Sequence, residues 1–341
     1  MKTKSLLKYG LVAMAALMMV ACDNSSGGTN SDASSSSASS SNTNTATKKF
    51  KIGVSIPAAD HGWTAGVKYW ADEEAKKHPE IDFDIQTADS PDKQISQLEA
   101  MATKKIDALV ILATESAPVT PAAKKLKDQG IFIVNVDRGF TDASIADIFL
   151  AGDNKKFGTM SAQFMADKLK GKGNILVLEG IPCTVNTDRV DAAKAVFAKY
   201  PGIKILASQS GMWNQQKAYD VMQTMLTANK QVDAIWAQDD DMALGAERAL
   251  KQSGRDKGVW MLGGAGMKDI VKRVKDNDPM FPADVTYPPS MIADGIKAAV
   301  ETLESKSKDE LKNFKHEDRE IKIDLVTPAN ASDFYFEKSV Y

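Results

Sequence analysis

Apolar, β-branched runs of strand length recur along this chain from residue 51 onward, separated by stretches of helical period. The runs predict strands over 51–56, 83–88, 108–113, 131–137, 148–152, 174–180, 204–210, 234–239, 259–263 and 283–287. Helical patterns fill 64–77, 91–105, 155–169, 215–228 and 242–251 between them. Leu109-Val110-Ile111-Leu112 and Ile175-Leu176-Val177-Leu178 are apolar on both faces, which suits parallel strands covered by helices on either side. So many strands exceed one sheet of ordinary size. The pattern therefore predicts two doubly wound α/β domains, divided near 152–154.

The first 48 residues follow a different rule. Lys2, Lys4 and Lys8 open the chain, an unbroken apolar run follows from Leu11, and Cys22 comes directly after Ala21. This has the form of a secretory signal, with an apolar core too short to cross a bilayer. Met19-Val20-Ala21-Cys22 resembles the lipobox of bacterial lipoproteins, in which cleavage leaves the cysteine as the lipidated N-terminus. Ordinary cleavage near Ala21 is the other reading. Residues 23–48 are almost wholly Ser, Asn, Thr, Gly and Ala, with nothing to bury, and are expected to form a disordered tether. As a flexible coil it would span roughly 25–30 Å. Asp23 after the cysteine resembles an inner-membrane retention signal. Apart from the signal, the sequence shows no transmembrane pattern.

Charge removes one class of function. The chain carries 43 basic and 45 acidic residues, and the expected signal takes away three lysines and no acid. That leaves 40 against 45, mildly acidic, with no basic stripe to hold a phosphate backbone. With Cys22 given to lipid, Cys183 has no partner and is expected to be a small buried hydrophobe.

Polar and aromatic residues interrupt the pattern at one recurring place. His61 and Trp63 follow the first strand, Glu115 the third, Asp137 and Arg138 the fourth, and Arg189 the sixth. Trp213 follows the seventh, Asp239 ends the eighth, and Tyr287 ends the last. All lie at carboxyl ends of strands, the edge that forms the ligand crevice of open α/β sheets. These residue types suit a neutral polyhydroxylated ligand. A carboxylate accepts from two hydroxyls, a guanidinium donates to two, and indole rings can stack on an apolar sugar face. Asp239-Asp240-Asp241 could hold a metal, but neighbours on a strand-to-helix turn diverge. Asp240 or Asp241 is expected to cap the helix that begins near Met242. Trp236 and Trp260, within strands, are expected in the core, and the charged run 312–319 with His316 on a solvated surface.

The stretch from Ile235 to Leu250, with Gln238-Asp239-Asp240-Asp241-Met242-Ala243-Leu244-Gly245 at its centre, resembles the signature of the ribose-binding-like periplasmic binding proteins. Asn135-Val136-Asp137-Arg138, Thr187-Asp188-Arg189-Val190 and the stretch from Ala207 to Trp213 fall where that family keeps sugar contacts. The resemblance implies a type I periplasmic binding protein fold, two α/β domains joined by three hinge crossovers. It implies a first domain of 49–152 with 288–318 and a second of 153–287 with 319–341. It further implies hydroxyl contacts from Asp137, Arg138, Arg189 and Asp239, stacking by Trp63 and Trp213, and His61 where the family often has Asn. Gly263-Gly264-Ala265-Gly266 departs from the usual Gly-Phe-Asp-Gly, and Tyr287 replaces a usual Gln, which puts ribose itself in doubt.

The expectation is a monomeric, lipid-anchored receptor on the outer face of the cytoplasmic membrane or in the periplasm. It would deliver a monosaccharide or sugar alcohol to the permease of an ABC importer. A sensory lipoprotein serving a chemoreceptor or histidine kinase would have the same cleft. A transcription regulator of the LacI type needs a helix-turn-helix where the signal and tether stand. No phosphate loop, dinucleotide fingerprint, zinc helix or nucleophile elbow is present, so neither enzyme activity nor a cofactor is expected. A cell-wall hydrolase is the remaining enzymatic reading.

Overall fold

A computed structural model describes residues 49–60 and 62–341. The expected signal peptide, Cys22, the tether and His61 lie outside the described residues. The chain opens on β1 (Phe50–Pro57), α1 (Gly62–Ala75), β2 (Ile81–Ala88), α2 (Pro91–Thr103), β3 (Ala108–Ile111), α3 (Ser116–Asp128), β4 (Phe132–Val136) and β5 (Ile148–Gly152). It continues through α4 (Asn154–Lys168), β6 (Lys172–Glu179), α5 (Thr184–Phe197), β7 (Gly202–Ser210), α6 (Gln215–Ala228), β8 (Ala234–Ala237), α7 (Asp240–Gln252), β9 (Trp260–Leu262) and α8 (Lys268–Lys275). Last come β10 (Asp284–Val285), α9 (Met291–Ser305), α10 (Lys308–Lys312), β11 (Glu317–Ile321), β12 (Leu325–Val326) and α11 (Ala331–Phe334).

The strands form two parallel sheets. The first runs β11-β5-β4-β3-β1-β2, with every pair parallel. The second runs β7-β6-β8-β9, again wholly parallel. A short antiparallel pair, β10 with β12, forms a separate ribbon, and an isolated parallel bridge links Ala265, just after β9, with Thr286, just after β10. The apolar runs dictate this arrangement because both faces of each sheet are buried. On the first, Ile52, Val54, Val110 and Val134 pack with Ile292 and Ile296 of α9, while Leu109, Ile111 and Ile133 pack with Leu98, Met101 and Leu126 of α2 and α3. On the second, Ile175, Val177 and Trp236 meet Phe157 and Met165 of α4, while Leu176, Leu178 and Ile235 meet Met222 and Leu250. Each such large side chain contributes roughly 1.5–3 kcal/mol on burial. The fold is the two-lobed, doubly wound α/β architecture the pattern predicts.

Three details differ from expectation. The charged run 312–319 contains the start of β11, which pairs with β5 along its whole length, so the first sheet includes residues as far as Ile321. An edge strand needs no apolar alternation, and charged side chains there block pairing with other chains. The strand expected over 283–287 shrinks to β10, because Thr286 and Tyr287 turn to engage Asp324 and Ala265. Trp260 is half-buried at the start of β9, with Lys168 Nζ 5.5 Å from its ring centroid, whereas Trp236 is in the core. Cys183 is buried as expected, and burial pushes its thiol pKa up.

Candidate functional site

The wall from the first lobe is built by polar second contacts. Asn135, the second-last residue of β4, donates through Nδ2 to Ile111 O at 3.2 Å and Arg138 O at 3.1 Å. Its Oδ1 accepts from Phe140 N at 3.2 Å. That clasp surrounds Asp137, which sits at φ 65°, a left-handed conformation uncommon for non-glycine residues but tolerated best by Asp and Asn. Arg138 Nη1 donates to the carbonyls of Ala113 (3.0 Å) and Thr114 (2.8 Å) at the end of β3. The same loop is pinned by Gln94 of α2, whose Oε1 accepts from Thr114 N at 2.7 Å while Nε2 donates to Ser55 Oγ at 3.0 Å. Arg138 Nε lies 3.7 Å from Asp137 Oδ2 and makes no hydrogen bond among the described residues.

The opposing wall comes from the second lobe. Arg189 of α5 is 3 % exposed and lies between two rings, 3.8 Å from the Phe157 centroid and 4.5 Å from that of Tyr287. Its Nε donates to Asn154 Oδ1 (2.9 Å) and its Nη1 to Gln238 O (2.8 Å), so one edge of the fork is fixed. Burial lowers this guanidinium's pKa, opposed by Tyr287, Asp137 and Asp239 nearby. Tyr287 donates its hydroxyl to Asp137 Oδ1 at 2.6 Å and accepts from Asn154 Nδ2 at 3.1 Å. Burial, reinforced by the Asp137 charge, drives its pKa far up, so it acts as a neutral donor. Trp213 follows β7 at φ 51°, with Met212 before it at φ 59°. A Cβ on Gly180 would sit 2.1 Å from Trp213 Cε2, so the indole rests directly on glycine backbone. Arg138 lies over the same ring, its guanidinium carbon 5.0 Å from the centroid.

Asp239 caps α7 by accepting from Met242 N at 2.8 Å. The cap was expected at Asp240 or Asp241. It moves because the helix begins earlier than its apolar periodicity, which leaves those two acids in the first turn with partners of their own. Asp240 accepts from Gly264 N (2.9 Å) and Met267 N (2.8 Å), and Asp241 from Gly62 N (3.2 Å) and Trp63 N (3.3 Å). Asp240 and Asp284 are both fully buried; burial pushes the Asp284 carboxyl up to about 7 and raises Asp240 as well. Among the described residues no group of three or more His, Cys, Asp and Glu is arranged to hold a metal.

Between the walls lies a cavity, with about 320 Å³ of empty space that is partly open to solvent, lined by Trp63, Asp137, Arg138, Val185, Arg189, Trp213, Asp239, Ala265 and Tyr287. Every proposed contact among the described residues except Glu115 is on that wall. Glu115 precedes α3 without capping it, and it faces a neighbouring groove with Asp60, Asp89 and Lys217. His61 lies outside the described residues. Sequence reasoning gave no role to Asn154, Phe157 or Val185; the first two sit in the opening turns of α4, right after β5, and that strand-end position was the available signal. Trp63 Nε1 donates to Tyr287 O at 2.8 Å, which fixes the indole edge-on to the tyrosine main chain. Trp213 Nε1 and Arg138 Nε are buried donors without a hydrogen bond among the described residues, the condition in which a ligand acceptor matters most. Two carboxylates, two guanidinium groups and two indoles thus face one small neutral space.

Comparison with known proteins agrees with this layout. The chain is 29 % identical over 245 residues to the ribose import binding protein of Bacillus subtilis (strain 168), covering 72 % of this chain and 78 % of that one. It is 33 % identical over 187 residues to a xylitol-binding protein of Mycolicibacterium smegmatis, covering 54 % and 53 %. The fructose-binding periplasmic domain of a hybrid two-component system superposes with a TM-score of 0.76 at 27 % identity, covering 84 % and 93 %. These relatives are named for binding, and this chain is a binding protein, not an enzyme. The periplasmic binding protein domain matches residues 52–307, and the chain belongs to that family.

Proposed function

We propose that this protein captures one uncharged, polyhydroxylated small molecule, a monosaccharide or sugar alcohol, between its lobes and delivers it to an ABC importer. The observation that carries the reading is the balanced cavity. Asp137 and Asp239 supply acceptors, Arg138 and Arg189 supply donors, and their charges cancel. A charged ligand would leave one of these groups unmatched in a dry site, which is costly. Trp63 and Trp213 add ring faces for the apolar side of a pyranose, furanose or alditol. The sugar and polyol names of the relatives support the same class.

In this reading 49–152 and 288–318 form the first domain, extended to Ile321 by β11, and the remainder forms the second. The lobes part about the crossovers near 152–154, 287–288 and 321–323. Cys22 carries the lipid, Asp23 retains the protein at the cytoplasmic membrane, and the Ser-rich segment tethers it there. Loss of lipid labelling in a Cys22→Ala variant checks the anchor; labelling that persists contradicts it. A sensory role is the second reading, favoured by the origin of the fructose-binding domain. Sugar uptake that survives deletion of this gene, with signalling lost, selects the sensor. For the ligand itself, mass spectrometry of the small molecules carried through purification should find a neutral sugar or polyol. An amino acid or an organic anion in its place rejects the proposal.

A further inference from the structure

Outside the cavity, Asp241 joins the two lobes through the main-chain start of a helix. Asp241, in the first turn of α7, directs both carboxylate oxygens at the backbone amides that begin α1, at 3.2 Å to Gly62 N and 3.3 Å to Trp63 N. Asp241 is only 6 % exposed, and these two amides are the hydrogen-bond partners of its carboxylate among the described residues. The seat is shaped for it. A Cβ on Gly62 would lie 3.1 Å from Asp241 Oδ1, 3.2 Å from Oδ2 and 3.0 Å from the ring of Tyr341. Opposite charge meets the positive end of α1, an arrangement that stabilises a carboxylate.

From this geometry we infer that Asp241 is a positioning residue for ligand capture: it caps α1 of the other lobe in trans, and so latches the closed state without touching the ligand. The inference rests on the two-lobe capture reading above. In an open form the carboxylate and the two amides would exchange each other for water. Closing trades that water for two charge-assisted bonds inside a nearly buried seat, so part of the closing free energy resides outside the cavity. The consequence is quantitative. A latch changes the fraction of competent protein, and that scales the affinity for every ligand by one factor. A cavity residue instead changes the ratio between ligands.

The far side of the cleft supplies the readout. Thr184 N, at the start of α5, donates to Ser116 Oγ across the lobes at 3.4 Å and has no part in the Asp241 seat. Calorimetry with D-ribose, D-fructose and xylitol is run on the wild type, Asp241→Ala and Asp241→Asn, beside amide hydrogen exchange at Trp63 and Thr184. The alanine variant should weaken every probe that binds the wild type by a common factor of about tenfold. Asparagine, which keeps one acceptor, should weaken them less. Exchange at Thr184 should quicken together with that at Trp63. Quickening confined to Trp63, with affinity unchanged, overturns the inference and leaves Asp241 a local cap. If none of the three probes binds the wild type, exchange at Thr184 alone decides the latch, and the sugar reading is judged separately on a wider panel. If the alanine variant does not fold, Gly62→Ala presses on the same contact from the other lobe and must show both effects; their absence there overturns it equally.

Discussion

Arg189 shows how a cation is kept in a dry cleft. Two of its donors are fixed by Asn154 and Gln238 O, two rings cover its faces, and the remaining edge is left for ligand. Arg189→Ala should raise the dissociation constant by about 100-fold or more, since charge-assisted bonds of roughly 1.5–3 kcal/mol each are lost. Arg189→Lys should recover little of it, because an ammonium cannot reproduce the fork or the stack; titration calorimetry on the two variants checks both. Tyr287→Phe removes the donor to Asp137 and should lower stability by about 1–3 kcal/mol in denaturant melts, as a buried acceptor loses its partner. These residues were legible because a polar side chain that ends a buried apolar strand has few purposes other than a crevice. Glu115 met the same criterion and faces the next groove, since position along the strand does not say which side of a wall a side chain takes. The trans contact of Asp241 had no local signature, because its partners are main-chain amides 178 and 179 positions away.

Loops and caps carry the site between rigid helices. Gly180 admits the indole of Trp213 against bare backbone, so Gly180→Ala should displace that ring and weaken binding at least tenfold while the far-ultraviolet spectrum stays unchanged. The loops after β8 and β9 are tied to the start of β10 by Asp240 and Asp284. Asp284 titrates near 7 in the folded protein and near 3.9 in an unfolded chain, so between those values the native state holds a proton that the unfolded chain has lost. The stability it contributes is therefore full below about pH 4 and disappears as pH rises through about 7. Melting temperature should fall from pH 5 to pH 7.5 for this reason, and Asp284→Asn should flatten the slope; an unaltered slope in that variant contradicts the assignment. Element type was readable wherever both faces are buried, as in β3 and β6. It was not readable in β11, whose Glu317, Asp318 and Glu320 are exposed and whose place is set mainly by pairing with the backbone of β5.

Two sheets with helices on both faces, and a cavity at their facing carboxyl edges, followed from the alternation of apolar runs with helical pattern. The last strand of the first sheet did not follow as cleanly, because no periodicity marks the charged edge strand β11. Closure is where the parts act together. The Tyr287–Asp137 bond, the Arg138–Trp213 stack and the Thr184–Ser116 bond span the cleft around the cavity, so the walls should assemble as the lobes meet. Small-angle scattering should report a smaller radius of gyration once a ligand is saturating, and no change would argue against hinge capture. What decides the account is titration calorimetry of the folded protein against a panel of pentoses, hexoses and alditols. At least one should bind at micromolar affinity or tighter, with that affinity weakened by about 100-fold or more in Arg189→Ala. Silence across the panel from folded protein, or binding that Arg189→Ala leaves intact, would contradict it.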